Sequence, residues 1–403
     1  MPAQPTAVKQ SPHRPSRATL MVYGRRVARA GFWLWLMLLL GCARPGAPAD
    51  LLTAVPAWQW QRDLGDGLAS PPVLAGGYVV ATTAAAVIAL DPHSGAEQWR
   101  FAPDGGVWSR SLAASEDIIF VGAPGRVLAL NAANGQIRWQ QPVVGEMLWP
   151  PLVDDGRLFA GTAFVGPGVT PNAAGRAWLY ALDAASGQVE WAQETAVYTL
   201  ITPAANEATL FVGGSQLGQE KVPEGGHIRL HAFDKQTGRL IWTVERQDGF
   251  LKSLAVDGSR LFFLAYTDVV FGLAAADGSE LWRYPTENWS PGFRLADGRL
   301  YLGSDNAFVH AVEVAGGTAV WRTHLEGVFN APRSTPAADQ DALFFQSNDN
   351  RLYCLELLTG QMRWQTEPQP RSRVALVVGN GRLFLTGEDE NLYSYVLPSR
   401  VNQ

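Results

Sequence analysis

The sequence predicts an all-β protein: an eight-bladed β-propeller of four-stranded antiparallel blades, closed by an N-terminal strand in the last blade. Three observations carry that expectation. A pattern of an apolar strand, then Asp or Asn, a Gly four residues on and a terminal Trp recurs along the chain. From Trp60 to Trp364 the tryptophans are spaced by 39, 40, 52, 51, 40, 39 and 43 residues, the length of a four-stranded blade. The last copy breaks off before its Trp, while a Trp-bearing segment stands alone at the front of the chain.

The copies justify the elements in order. Four of them are V-I-A-L-D-P-H-S-G-A-E-Q-W ending at Trp99, V-L-A-L-N-A-A-N-G-Q-I-R-W at Trp139, L-Y-A-L-D-A-A-S-G-Q-V-E-W at Trp191 and L-H-A-F-D-K-Q-T-G-R-L-I-W at Trp242. Three more end at Trp282, Trp321 and Trp364, and an eighth, Leu392 to Val396, stops short. Alternating apolar residues such as Val87 and Ala89, or Leu128 and Leu130, give a strand of period two. The Asp or Asn bonds its own backbone to open a turn, and the Gly supplies positive φ. The next strand ends at the Trp, so Trp60, Trp99, Trp139, Trp191, Trp242, Trp282, Trp321 and Trp364 are expected to pack between blades.

An upstream hairpin recurs as well, at Asp-Gly or Asn-Gly between apolar runs beginning at Pro151, Leu254, Arg294 and Leu376. Each unit therefore has strands A to D, with the A–B hairpin at Asp-Gly and the C–D turn at the later Gly. There are eight A–B–C sets but only seven D strands after them, and Trp58–Arg62 is expected to supply the eighth. Joining both chain ends in one blade leaves only outer strands as edges. The propeller is expected to span residues 57–397 as one domain, followed by a tail, 398–403.

Residues 1–41 carry Lys9, Arg14, Arg17, Arg25, Arg26 and Arg29 and no acid, then an apolar run from Ala30 to Leu40. That describes a secretory signal, and the run is shorter than the roughly 20 residues that span a bilayer. Met21 is a second candidate start. The signal ends at Leu39-Leu40-Gly41-Cys42, which resembles the lipobox of bacterial lipoproteins. The resemblance implies cleavage before Cys42, acylation of Cys42, and residues 42–56 as a linker. Ala43, rather than Asp, then implies sorting to the outer membrane. Loss of the six basic residues takes the formal net charge from −5 to −11. So acidic a chain excludes nucleic acid as a partner. With Cys42 carrying lipid, Cys354 is left without a disulfide partner.

The A-L-D-x-x-(T/S)-G-x-x-x-W pattern resembles the PQQ-type propeller repeat, from Trp58 to about Val396. Together with the lipobox and eight blades, it resembles the BamB family, the lipoprotein subunit of the outer-membrane β-barrel assembly machine. That resemblance implies a non-catalytic scaffold at the periplasmic face of the outer membrane. Its partners would be the periplasmic domains of the barrel-forming protein. The family's Leu-x-Leu-Arg partner motif falls on Thr195-Ala196-Val197-Tyr198, with Tyr198 in place of Arg. Its Asp-x-Asp falls on Asp248-Gly249-Phe250, keeping one acid. Val197, Tyr198, Asp248 and Phe250 are the candidate partner-binding residues.

Two other readings stay open: a lipoprotein binding a different envelope client, and a quinone-dependent dehydrogenase. Enzymes of the second kind resemble this repeat but carry adjacent cysteines and a Ca²⁺ ligand set, and the chain has no Cys-Cys pair. His227 and His231 share a strand face but lack a third ligand nearby, and are expected to face outward rather than hold zinc. No nucleophile-elbow, zincin or Walker pattern occurs. No cofactor, metal or catalytic residue is therefore expected. Trp108, Trp149 and Trp289 fall outside the repeat position, as core fillers or an exposed client-binding surface. The two long spacings place insertions between strands B and C of blades 3 and 4, near residues 163–175 and 214–226.

Overall fold

The computed structural model describes residues 55–65, 70–108, 110–163, 177–195, 197, 199–216, 227–326, 331–372 and 374–398. The signal segment, Cys42, most of the linker, Tyr198, most of both insertions and the end of the tail lie outside the described residues. Among the described residues the strands form eight antiparallel sheets. In blade 1 the meander runs Val73–Ala75, Tyr78–Thr82, Val87–Leu90 and Glu97–Phe101. Blades 2 to 7 repeat it over residues 113–142, 152–194, 199–246, 251–285, 293–324 and 337–365. Blade 8 takes strands A to C from Val377–Gly379, Arg382–Thr386 and Asn391–Val396, and its outer strand is Ala57–Asp63. That outer strand pairs antiparallel with Asn391–Val396 from Ala57↔Val396 to Asp63↔Asn391, with a bulge between Trp58 and Trp60.

The turns follow from local chemistry. At the A–B hairpins of blades 3, 6 and 8, both central residues take positive φ: Asp155 and Gly156, Asp297 and Gly298, Asn380 and Gly381. This is the geometry whose twist matches paired strands. At the C–D turn of blade 1, Asp91 Oδ1 accepts from His93 N at 3.0 Å, Ser94 N at 2.7 Å and Ser94 Oγ at 2.8 Å. Blade 4 is irregular. Its inner strand is split into Thr199–Leu200 and Ala204–Ala205, both paired with Thr209–Gln216, because Pro203 between them has no amide hydrogen to donate.

Strands B and C differ from the alternating pattern expected of them. Val87–Leu90 and Ile118–Ala123 are buried at every position, because each blade is covered by a neighbour on both faces. Alternation belongs instead to the outer strands, as in Glu280–Pro285. The core is accordingly divided between blade interfaces. One cluster joins blades 1 and 2 through residues such as Val80 and Leu128, and others follow around the chain. Trp60, Phe384 and Leu392 of blade 8 share a cluster with Val79 and Ile88 of blade 1.

The repeat tryptophans sit at these interfaces and are interlocked. Trp139 Nε1 donates to Ala184 O of blade 3 at 3.0 Å. Trp60, Trp99, Trp191, Trp242, Trp282 and Trp321 make the same bond to the next blade's C–D turn at 2.9–3.2 Å. Each ring also lies on the left-handed Gly of that turn. A Cβ on Gly187 would come within 2.5 Å of the Trp139 ring, and one on Gly360 within 2.5 Å of Trp321. Within its own blade the Trp stands opposite a small residue of strand C: Ala129 for Trp139, Gly272 for Trp282, Cys354 for Trp364 and Ser394 for Trp60. Trp364 is the exception to the interlock. The next C and D strands come from opposite chain ends, so no C–D turn faces it. It packs instead with Leu376, Leu383 and Tyr393.

Candidate interaction surface

The connection from blade 3 to blade 4 is tied down at both ends. Thr195 N donates to Ala177 O at 2.8 Å, and Ala177 N donates to Val197 O at 2.9 Å. Leu200 N donates to Thr162 O at 3.3 Å. Residues 162 and 177 flank the first insertion, so its base lies against the 195–200 segment. The base of the second insertion lies there too: Thr199 pairs with Ser215 and Leu200 with Gly214, close to the Gln216↔His227 pair. Ser215 Oγ in turn accepts from Leu251 N of blade 5 at 3.1 Å. Four chain segments thus meet at one rim of blades 3 to 5.

Of the four candidate residues, Asp248 and Phe250 are brought to this rim. Asp248 pairs with Arg246 Nε at 2.6 Å, and Arg246 Nη1 reaches Glu280 at 3.0 Å. Phe250 is 38 % exposed and meets the more exposed Tyr266 edge-on at 6.1 Å. Lys252 lies beneath, with Nζ 4.8 Å from the Tyr266 ring and 5.0 Å from the Trp289 ring, and bonded to Asp268 at 3.0 Å. Val197 is fully buried among Leu179, Leu200 and Val212. It fastens the connection to the core and has no surface to offer a partner, which corrects its assignment as a contact residue. Tyr198 lies outside the described residues.

His231 also departs from expectation. It does not face outward but is buried, with Nδ1 2.9 Å from Thr243 Oγ1 and its ring tilted against Phe233. Burial, helped by Arg229, lowers its pKa to about 4, so the ring is neutral at physiological pH. Strand C of blade 4 is covered on both faces, which alternation in the sequence does not reveal.

Sequence reasoning left open whether the channel on the ring axis holds a ligand. A cavity of about 960 Å³ is lined by the inner ends of all eight blades, including Ser70, Arg110, Thr202, Lys252, Thr335 and Thr386. A second hollow of about 220 Å³ shares Arg110 and Trp149 with it and adds Trp108 and Leu148. Trp108 and Trp149 are thus funnel-wall residues, while Trp289 lies at the rim under Lys252. The signal available was their place just before strand A, which every blade turns toward the axis. Cys354 is buried opposite Trp364, and burial pushes its thiol up to about 12.

The sequence family described as "Outer membrane protein assembly factor BamB" matches residues 83–218, 175–297, 224–367 and 305–397. The outer membrane protein assembly factor BamB of Yersinia pestis is 24 % identical over 323 residues, covering 70 % of this chain and 77 % of that protein. The crystal structure of BamB from Moraxella catarrhalis superposes with a TM-score of 0.61 at 19 % identity, covering 87 % of this chain and all of that one. A quinohemoprotein alcohol dehydrogenase from Pseudomonas putida HK5 superposes with a TM-score of 0.62 at 14 % identity, covering 86 % of this chain and 77 % of that one. These structural likenesses establish the propeller and leave the chemistry to the residues.

Proposed function

Because the chain belongs to the family of outer membrane protein assembly factor BamB, we propose that it is a non-catalytic scaffold lipoprotein assisting assembly and insertion of outer-membrane β-barrel proteins. The observation that carries this is the family match, which runs from residue 83 to residue 397, through every blade. In this reading Cys42 bears the lipid, the propeller stands at the periplasmic face of the outer membrane, and the rim of blades 3 to 5 receives the periplasmic domains of the barrel-forming partner. The lack of a Cys-Cys pair, which quinone-dependent dehydrogenases of this repeat usually carry, supports a scaffold over a quinone enzyme. The family's contact motif is altered at Thr195, Val197 and Tyr198, and this favours, as a second reading, a different envelope protein on the same rim.

The test is affinity purification of the tagged full chain from detergent-solubilised envelopes. An integral outer-membrane barrel protein should be the main co-purifying species. Recovery of some other envelope protein in its place would transfer the role to that client. In parallel, Cys42→Ser should leave the membrane fraction on a salt wash. A Cys42→Ser chain that stays bound to membranes removes the lipid anchor from the proposal.

A further inference from the structure

We propose that the funnel mouth formed by Trp108, Arg110 and Trp149, opening into the axial cavity, is a binding site for a small aromatic monocarboxylate. Three observations point there. The hollow is lined by two tryptophans, Leu148 and an arginine, a combination that takes a flat apolar body and a single planar anion. Its wall is fixed: Trp108 Nε1 donates to Glu146 Oε2 at 2.8 Å, Trp108 N to Gly122 O at 2.7 Å, and Ser111 Oγ to Trp108 O at 2.6 Å. Arg110 is the uncompensated charge. Lys252 is matched by Asp268 at 3.0 Å and Glu388 by Arg371 at 3.1 Å, whereas among the described residues Arg110 has no ion pair.

The size and charge narrow the ligand. A concave space of about 960 Å³ ringed by eight blades suits a small molecule rather than a folded surface. One guanidinium binds a planar carboxylate through two parallel hydrogen bonds, and one unpaired cation at the mouth balances a monoanion. The mouth residues Trp108, Arg110 and Trp149 belong to blades 2 and 3, whereas the cavity they open into is also lined by Leu251 and Lys252 of the blade 3 to 5 rim.

The experiment is isothermal titration of the full-length chain with 1-naphthoate and with its neutral counterpart 1-naphthamide. Saturable one-to-one binding of naphthoate is expected, roughly tenfold or more tighter than naphthamide, as charge-assisted hydrogen bonds require. Arg110→Gln should abolish that preference without lowering the melting temperature, since Arg110 is exposed. Should Arg110→Gln fold poorly, Arg110→Lys carries the test: it keeps the charge and should keep the preference for the anion at reduced affinity. Trp149→Ala should weaken both ligands alike. Absence of saturable naphthoate binding, equal affinity for the two ligands, or an unchanged preference in Arg110→Gln would each overturn the proposal.

Discussion

A tryptophan and a glycine of the next blade act as one joint, repeated around the ring. Gly187 needs its left-handed φ of 76°, and any Cβ there would strike the Trp139 ring at 2.5 Å. Gly156 has a similar φ of 73° but open space around it. Gly156→Ala should therefore cost only the backbone term, about 1–2 kcal/mol. Gly187→Ala should add the cost of a forced repacking, a further ~1–3 kcal/mol. Urea unfolding of both variants measures the difference, and equal losses would show that the joint carries no strain. Positive φ at these glycines was legible in the sequence. Their tryptophan partners were not, because each stands in a different blade 35 to 48 residues away along the chain. His310 provides a second residue-scale prediction. It is fully buried, with Nδ1 2.7 Å from Tyr284 Oη and Nε2 2.9 Å from Ser304 Oγ. Burial, and secondarily Arg322, lowers its pKa from 6.5 to about 4. The unfolded chain then binds a proton below about pH 6.5 that the folded chain refuses until about pH 4. The stability held above pH 6.5 is thus lost as pH falls through this window, on the order of 3 kcal/mol per histidine so shifted. His231 shares the window. Melting temperatures should fall from pH 7 to pH 4, and His310→Gln should flatten that fall by about half. An unaltered pH profile in His310→Gln would place the effect elsewhere.

At the scale of elements, the strand that decides the architecture is Ala57–Asp63. It completes blade 8, and its Trp60 donates to Pro92 O of blade 1 at 3.1 Å while packing on Phe384. Deleting it removes the eighth outer strand, exposes the edge of Asn391–Val396 and empties the joint between blades 8 and 1. Loss of a buried Trp alone costs about 3–5 kcal/mol, against a net stability of roughly 5–15 kcal/mol. The deletion variant should be recovered mostly in the insoluble fraction, and any soluble material should melt well below the intact chain. A melting temperature equal to that of the intact chain would make the strand dispensable. This element was legible because the Trp ledger left one D strand missing at the end and one spare at the start. The burial of strands B and C was not, since a strand covered on both faces and one covered on a single face can both show Val, Ala and Leu at alternate positions. The split inner strand of blade 4 is visible in the sequence only as Pro203, whose effect depends on which edge it meets.

At the scale of the whole molecule, the ring is nearly regular except at blades 3 and 4, where both insertions arise. Their bases are held by named bonds: Thr162 and Ala177 to the 195–200 segment, and Gly214 and Ser215 to the same segment and to Leu251. Long surface insertions cost a fold little, so their presence does not by itself imply a role. The meeting of their bases at one connection, with Phe250 and Tyr266 exposed beside it, is what distinguishes this rim among the described residues. The decayed family motif falls on this connection in the sequence, but it does not tell which residues face out. Val197 reads as a contact by position and is core by packing. The partner surface should therefore be carried by Phe250 and Tyr198 rather than by Val197, as interfaces concentrate energy in aromatic anchors. Phe250→Ala and Tyr198→Ala should each reduce partner capture several-fold, by ~1–2 kcal/mol of binding, with melting temperatures unchanged. Val197→Ala should do the reverse, lowering stability by ~1–3 kcal/mol through a core cavity while folded protein still captures the partner. Shortening both insertions to two-residue turns should also reduce capture at unchanged stability. Full capture by the doubly shortened chain and by Phe250→Ala together would exclude this rim as the docking site and direct the search to another face of the ring.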